Sequence, residues 1–160
     1  MAGEVGMNVL ITRRQALKVI GMKIVTTADA DEIAELWDQF IARMSELESI
    51  SVPNCSLGIC RILKNGQIKY LAAKVVKDDS LVPNGMVYRV LPEQLVAVFT
   101  HTGALENLVD TYDYIYNEWL LENDYEIIEE PEIEWYDNRF KYSDLNSQMD
   151  IHIPVKPADL

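Results

Sequence analysis

The stretch PEIEWYDNRF (residues 131–140) combines carboxylates and aromatic rings at the spacing of a β-strand. Side chains along a strand alternate between two faces, so Glu132, Glu134 and Tyr136 share one face and the apolar residues between them share the other. A carboxylate among rings attracts a cation. The same alternation is also typical of a strand with one face in water. The pattern alone therefore leaves Glu134 as either a solvated residue or the charge partner of a cation in an apolar pocket.

Other residue types that carry chemistry are sparse. Cys55 and Cys60 form a CxxxxC pair with no histidine nearby, which is a poor zinc site and indicates reduced cysteines in a cytosolic protein. His101 lies near the start of a predicted helix, where a lone histidine is more often structural than functional. Since the seven glycines are scattered, no phosphate-binding loop is predicted. We therefore expect neither a metal nor a cofactor.

The charge distribution limits the classes of partner. The chain carries 14 basic and 26 acidic residues, and the entire net charge of −12 arises after position 80, where 4 basic residues face 16 acidic ones. Such a field disfavours direct nucleic-acid binding, which requires lysine and arginine at phosphates. The 160 residues contain neither a run of 18 apolar residues nor a secretory signal. The sequence therefore predicts a single cytoplasmic domain, residues 1–160, without a membrane partner.

The hydrophobic pattern predicts the same order of elements twice, with a period of roughly 77 residues. Each copy has the order strand, helix, strand, strand, and the copies span about residues 16–80 and 86–157. The predicted elements of the first copy are strand Ala16–Thr26, a helix from an Asp29 cap through Leu47, and a hairpin of strands Ser56–Leu63 and Ile68–Val76. Those of the second are a bridging strand Met86–Leu91, strand Leu95–His101, helix Leu105–Glu122, and strands Glu132–Asp137 and Met149–Val155.

Each copy alone would leave one face of its helix exposed, so the two should pack as a unit. We therefore predict an α+β fold in which two pseudo-symmetric βαββ repeats form an antiparallel sheet with two helices packed on it. Two such halves leave a ligand groove between them, where small-molecule sites tend to lie. Edge strands of the repeats offer a route to a homodimer, although nothing in the residues demands one.

Four separated segments carry a resemblance to a known family. The segments LVAVFTHTG, DTYDYIYNEWL, EIEWYDNRF and MDIHIPVKP occur in the family's order between Leu95 and Pro157. They resemble the gyrase-inhibitor-like (GyrI-like) family, which includes the effector-binding domains of AraC-type and multidrug-responsive transcription activators. The family fold is the paired βαββ unit. About 15 residues precede the first predicted strand, too few for a helix-turn-helix, so the sequence resembles a standalone member without a DNA-binding domain.

The resemblance implies a binding protein for lipophilic, cationic aromatic compounds. Glu134 matches the family's pocket glutamate, while Tyr112, Tyr116, Trp119 and Tyr136 match its aromatic walls. Trp37 on the first helix is the symmetry-related candidate. Plain core packing is the alternative for the helix residues, above all for Trp119 and Trp37.

Two other functions stay open at this point. Some standalone members hydrolyse cyclopropane rings in DNA-alkylating compounds, and by resemblance Glu134 and Tyr112 would be the catalytic residues. Another relative acts on DNA gyrase, and an acidic surface of this kind resembles DNA in charge. The partners implied are therefore a small molecule, DNA gyrase, or a separate transcription regulator.

Overall fold

The structure is a computed structural model that describes residues 7–27, 30–142 and 144–158, without the side chain of residue 30. All strands in these residues belong to one antiparallel sheet. Its nine strands within those residues are Val9–Arg14 (β1), Leu17–Thr26 (β2), Cys55–Ile62 (β3), Ile68–Val75 (β4), Val87–Leu91 (β5), Gln94–Thr102 (β6), Tyr125–Ile127 (β7), Glu132–Asp137 (β8) and Gln148–Pro157 (β9). The order across the sheet is β1-β6-β9-β8-β3-β4-β2-β5, and β7 pairs with β9.

The two halves of the sheet meet at the pairing of β3 with β8. Gly58 lies directly opposite Glu134 near the middle of this pairing. Strands β4 and β2 extend the sheet on one side, and β9 and β6 extend it on the other. This arrangement confirms the predicted α+β fold of two βαββ repeats.

Strand β1 was not predicted, because its local signal is a run of six residues that ends in two arginines. It pairs with β6 of the second half, whereas β5 pairs with β2 of the first half. The pairs Arg14–Gln94 and Leu17–Leu91 keep one register across the breaks at residues 15–16 and 92–93. Long-range pairing therefore defines β1, and each half contributes an edge strand to the other. The three-residue strand β7 was also missed, since it is fixed only by pairing with the end of β9.

The first helix, α1, covers Ala30–Ile41 and is shorter than predicted. The chain turns after it, and Met44–Leu47 form a separate 3₁₀ turn. This turn directs Leu47 into the same core as Phe40, which is why the apolar spacing looked continuous. The predicted Asp29 cap lies outside the described residues.

The second helix runs through residues 105–122, as predicted, but its geometry changes along its length. It consists of a 3₁₀ turn Leu105–Asn107, an α-helix Leu108–Tyr114 (α2), a π-helical turn Ile115–Trp119, and a last turn Leu120–Glu122 (α3). Single π turns within helices occur frequently at functional sites.

Each helix covers its own half of one sheet face. Leu36 and Phe40 of α1 pack against Ile20 and Ala72, and a second set of buried residues packs under the second helix. That second set comprises Phe99, Ile115, Trp119, Met149, Ile151 and Ile153. Strands β3 and β8 consequently lie between the two helices. None of the helices in the described residues is long and apolar enough to cross a membrane.

Candidate functional site

Three tyrosine hydroxyls converge on the carboxylate of Glu134. Tyr70 of β4 donates a hydrogen bond to Glu134 Oε1 at 2.9 Å, and Tyr136 of β8 donates to the same oxygen at 3.0 Å. Tyr112 of α2 donates to Oε2 at 3.2 Å. The donors come from both halves of the fold, and no basic side chain pairs with Glu134 in the described part of the chain. The carboxylate thus has hydrogen-bond donors but no countercharge.

Gly58 makes room for this arrangement. A Cβ atom at this position would lie 2.0 Å from the Tyr70 hydroxyl and 2.8 Å from Glu134 Oε1. Directly opposite residues of an antiparallel pair point to the same face, so any side chain on Gly58 would occupy the space of the Tyr70–Glu134 hydrogen bond. The glycine in β3 therefore marks the place where the side chains of Tyr70 and Glu134, from the strands on either side of β3, approach each other closely.

Aromatic rings from both helices surround the carboxylate. Trp37 of α1 donates from Nε1 to the Tyr70 hydroxyl at 2.9 Å, and its ring meets the edge of Tyr136 with centroids 5.7 Å apart. On the other side, Tyr112 and Tyr116 are stacked 6.4 Å apart with an angle of 12° between their planes. Tyr70 is buried, whereas the other four residues, Trp37, Tyr112, Tyr116 and Tyr136, are partly exposed. They form aromatic walls that reach the surface between the helices.

A second carboxylate, Glu132, lies on the same face of β8. The hydroxyl of Tyr116, in the π-helical turn, donates a hydrogen bond to Glu132 Oε2. Tyr112 and Tyr116 stand one turn apart and reach the two glutamates, which stand two residues apart. The spacing of the helix thereby matches that of the strand.

Burial decides the electrostatics of both carboxylates. It raises the pKa of Glu134, although the hydrogen bonds from Tyr70, Tyr136 and Tyr112 act in the opposite direction. The pKa of Glu132 is also raised, first by burial and then by the charge of Glu134, against the hydrogen bond from Tyr116. A raised pKa means that the folded protein disfavours the ionised form of each group. A nearby cation would reverse that preference.

The remaining titratable neighbours are held in their neutral forms. Burial raises the pKa of Tyr70, Tyr112 and Tyr136 well above the ordinary tyrosine value, and the charge of Glu134 adds to the effect. The thiol of Cys60 faces the same site, and burial followed by the two glutamates raises its pKa to about 12. The site is therefore polarised by carboxylates alone.

Most predicted site residues lie together here. Glu134, Tyr112, Tyr136, Tyr116 and Trp37 all belong to this cluster through the contacts above. Another predicted wall residue does not. Trp119 is 7% exposed and packs edge-on against the ring of Phe99 at 5.0 Å and in a stack with Tyr125 at 5.9 Å, in agreement with the core-packing alternative.

His101 has a structural position. Its Nδ1 lies 2.6 Å from Thr111 Oγ1 and its Nε2 lies 3.0 Å from the carbonyl oxygen of Ala104, so the ring ties the end of β6 to α2. Both cysteines are free thiols; Cys55 is buried and Cys60 is partly buried.

Tyr70 and Gly58 were not predicted to belong to the site. Tyr70 is 3% exposed and lies on β4 in the first βαββ repeat, far in sequence from Glu134. The one available signal was the glycine inside the apolar strand CSLGICRI, because such a glycine often marks a close approach. Its partner depends on the register of three strands, which local patterns do not supply.

Comparison with known proteins agrees with this architecture. The transcriptional regulator BrlR of Pseudomonas aeruginosa is 37% identical over 150 residues, which make up 93% of this chain and 56% of BrlR. The chain thus spans about half the length of that relative. An integron cassette protein of Vibrio cholerae has a TM-score of 0.67 at 18% identity, covering 95% and 97% of the two chains.

Other solved structures share the fold at low sequence identity. SAV2435, in complex with tetraphenylphosphonium, has a TM-score of 0.78 at 16% identity and covers 94% of each chain. A hydrolase from Listeria innocua has a TM-score of 0.59 at 10% identity, covering 93% and 92%.

The family assignment rests on nearly the whole chain. Residues 10–155 match the family described as Cass2, integron-associated effector binding protein. The predicted resemblance to effector-binding domains of the gyrase-inhibitor-like type is thereby confirmed, and small-molecule binding is the general function that follows. The chain belongs to the Cass2 family of integron-associated effector-binding proteins.

Proposed function

We propose that this protein binds lipophilic aromatic cations, with Glu134 as the countercharge. The observation that carries the proposal is the carboxylate that accepts hydrogen bonds from three tyrosines and has no basic partner in the described residues. Tyr112, Tyr116, Tyr136 and Trp37 supply the aromatic surfaces. The complex of SAV2435, which shares the fold, with tetraphenylphosphonium supports this ligand class.

The energetics favour a cation with large apolar groups. A buried carboxylate without a countercharge is destabilised, and a bound cation supplies the missing charge. Each aromatic face adds roughly 0.5–2 kcal/mol of cation–π attraction. The contact with flat rings is otherwise dispersion and burial, which impose little directionality. Broad affinity for lipophilic cations, rather than selection of one compound, is the expected result.

The rings cover Glu134 closely enough that a bulky ligand must displace some of them. Trp37 and Tyr136 are in edge contact, and Tyr112 stacks on Tyr116. Both pairs are partly exposed and lie at the edge of the packed core, so we expect these side chains to move rather than the buried residues beneath them. We expect a ligand to enter between the two helices and to separate these pairs.

Titration of rhodamine 6G, a lipophilic cationic dye, by fluorescence polarisation tests the proposal. Glu134→Gln removes the charge at constant shape and should weaken binding at least about tenfold, or 1.4 kcal/mol. Glu129→Gln removes one charge from an exposed position and is the matched control, with little change expected. Wild-type affinity should increase with pH, because binding requires the ionised carboxylate and burial raises the pKa of Glu134. Equal affinity of the wild type and Glu134→Gln would refute the role of the carboxylate.

A second candidate is hydrolysis of cyclopropane-containing alkylating compounds at the same site. Two observations favour it: the contact between Tyr112 and Glu134, and the shared fold of the Listeria innocua hydrolase. Glu134 would take a proton from a water molecule while the oxygen of that water attacks a carbon of the cyclopropane ring. The strained carbon–carbon bond breaks, and Tyr112 would polarise the conjugated oxygen that receives the electrons.

Mass spectrometry distinguishes this reaction from binding alone. Incubation with a cyclopropane-bearing alkylator should yield the water adduct faster than buffer does, and Glu134→Gln should abolish the acceleration. Dye binding without any adduct above the buffer rate would leave the protein a binding protein for this substrate class.

A further inference from the structure

We propose a second binding site, for small amphiphilic anions, on the sheet face opposite Glu134. A cleft of about 250 Å³ lies on this face across strands β2, β3, β4 and β5. Four basic side chains line it, and none of its lining residues is acidic. These basic residues are Lys23, Arg61, Lys69 and Arg89. The cleft opens on the other face from the proposed cation site, and Tyr70 is the residue that contributes to both.

The strand register brings three of these four cations, Lys23, Arg61 and Lys69, close together. Arg61 of β3 lies directly opposite Lys69 of β4, and Leu71 of β4 lies opposite both Ile59 and Lys23. Directly opposite residues share a face, so all five side chains project from the same side of the sheet. Ile59 in turn pairs with Ile133, the neighbour of Glu134 in β8, and this places the cleft on the other side from the carboxylate.

The cleft has an excess of uncompensated positive charge. Like charges directly opposite each other on neighbouring strands destabilise a sheet, yet Arg61 and Lys69 occupy such positions. Arg61 is 3.5 Å from Glu130, whereas Lys23, Lys69 and Arg89 have no ion-pair partner in the described chain. Only 14 basic residues occur in this acidic protein, and four of them surround one cleft. A bound anion would remove the repulsion.

The floor of the cleft is apolar. Ile59 and Leu71 are 7% and 8% exposed, and Val87 and Leu91 continue the apolar lining. The ligand should therefore combine an anionic group with an apolar body. The volume lies just below the range of about 300–1,000 Å³ that is common for drug-sized ligands. A carboxylate or sulfonate with one or two rings, or with a medium-length alkyl chain, fits these dimensions.

The test uses 8-anilinonaphthalene-1-sulfonate, an aromatic anion that fluoresces in apolar surroundings, titrated into the full chain. The double variant Lys69→Gln with Arg89→Gln removes two charges from the cleft. The double variant Lys64→Gln with Lys77→Gln removes two exposed charges elsewhere. We expect the first to bind roughly tenfold more weakly and the second to match the wild type, since each exposed ion pair with the sulfonate contributes modestly and the first variant loses two of them.

Three outcomes would overturn the proposal. The dye affinity could fall equally in both double variants, which indicates nonspecific charge attraction, or it could fall in neither. Loss of dye binding in Glu134→Gln would be the third. Decanoate below its micelle-forming concentration should displace the dye. Displacement by anionic lipid vesicles but not by decanoate would replace the small anion by a membrane surface as the ligand.

Discussion

Gly58→Ala perturbs the site directly without removing any of its functional groups. The new Cβ would lie 2.0 Å from the Tyr70 hydroxyl, whereas real Cβ contacts stay beyond 3.0 Å. The hydroxyl must therefore move by about 1 Å or more, which breaks its 2.9 Å hydrogen bond to Glu134. Tyr70 is 3% exposed and belongs to the buried core under α1, so a shift of its ring must displace packed neighbours.

The expected loss of stability follows from two opposing contributions. Overpacking of a well-packed site costs about 1–3 kcal/mol. Replacement of glycine within a strand returns roughly 0.5–1 kcal/mol, because alanine loses less backbone freedom on folding. We expect a net decrease of about 1–2 kcal/mol in the free energy of unfolding, measured by urea denaturation. Loss of the Tyr70 hydrogen bond should also move the onset of cation binding to higher pH, since that bond lowers the pKa of Glu134.

Tyr70→Phe provides the control. It removes the hydroxyl that clashes most, although the ring carbon Cζ, at 2.8 Å from the new Cβ, keeps part of the contact. Gly58→Ala should therefore be less destabilising in the Tyr70→Phe background, with a coupling energy of at least about 0.5 kcal/mol. An equal effect in both backgrounds, or a Gly58→Ala protein as stable as the wild type, would refute the packing argument.

Two further predictions concern titration. Because burial raises the folded-state pKa of Glu134, its ionisation destabilises the fold as pH rises through that pKa, and Glu134→Gln should be more stable than the wild type at pH 7. This advantage should vanish below about pH 3, where the wild-type group is neutral in both states because the pKa of glutamate in an unfolded chain is about 4.3. A variant that is less stable than the wild type at pH 7 in urea denaturation would contradict this expectation. Cys60, with a pKa of about 12, should react with iodoacetamide at pH 8 at least about a hundredfold more slowly than a free thiol, and a normal rate by intact-mass measurement would contradict its burial beside Glu132 and Glu134.

The fold was largely predictable because its signals are local. The spacing of apolar residues predicts both helices, and the Asn65–Gly66 turn predicts the hairpin of β3 and β4. Strand β1 has no comparable signal, since it is defined by its pairing with β6 about 85 residues later. The end of α1 was also misplaced, because the 3₁₀ turn that follows buries Leu47 at a spacing that mimics another helical turn.

The candidate site was predictable only where the family resemblance reached. It identified Glu134 and the tyrosines of the second half, but not Tyr70, whose hydroxyl is as close to Glu134 as that of Tyr136. The role of Tyr70 depends on β4 lying beside β3 and β3 beside β8. Small-molecule binding follows from the family, whereas the cationic ligand class and the hydrolytic, homodimer and gyrase interpretations stay predictions.

Near the Gly58–Glu134 pair, carboxylates and basic side chains project from opposite faces of the sheet. The first 80 residues are neutral overall and the last 80 carry a net charge of −12, so the sequence alone suggests that the acidic surface belongs to the second half of the chain. Strand alternation separates the charges differently: Glu132 and Glu134 project toward the helices, while Arg61 and Lys69 project from the other side of the adjoining strands. The two charged surfaces are opposite faces of the same sheet and therefore lie only one sheet thickness apart. Binding of a cation on one face and an anion on the other should therefore be mutually favourable, and dye affinity measured with and without decanoate gives the magnitude of that coupling.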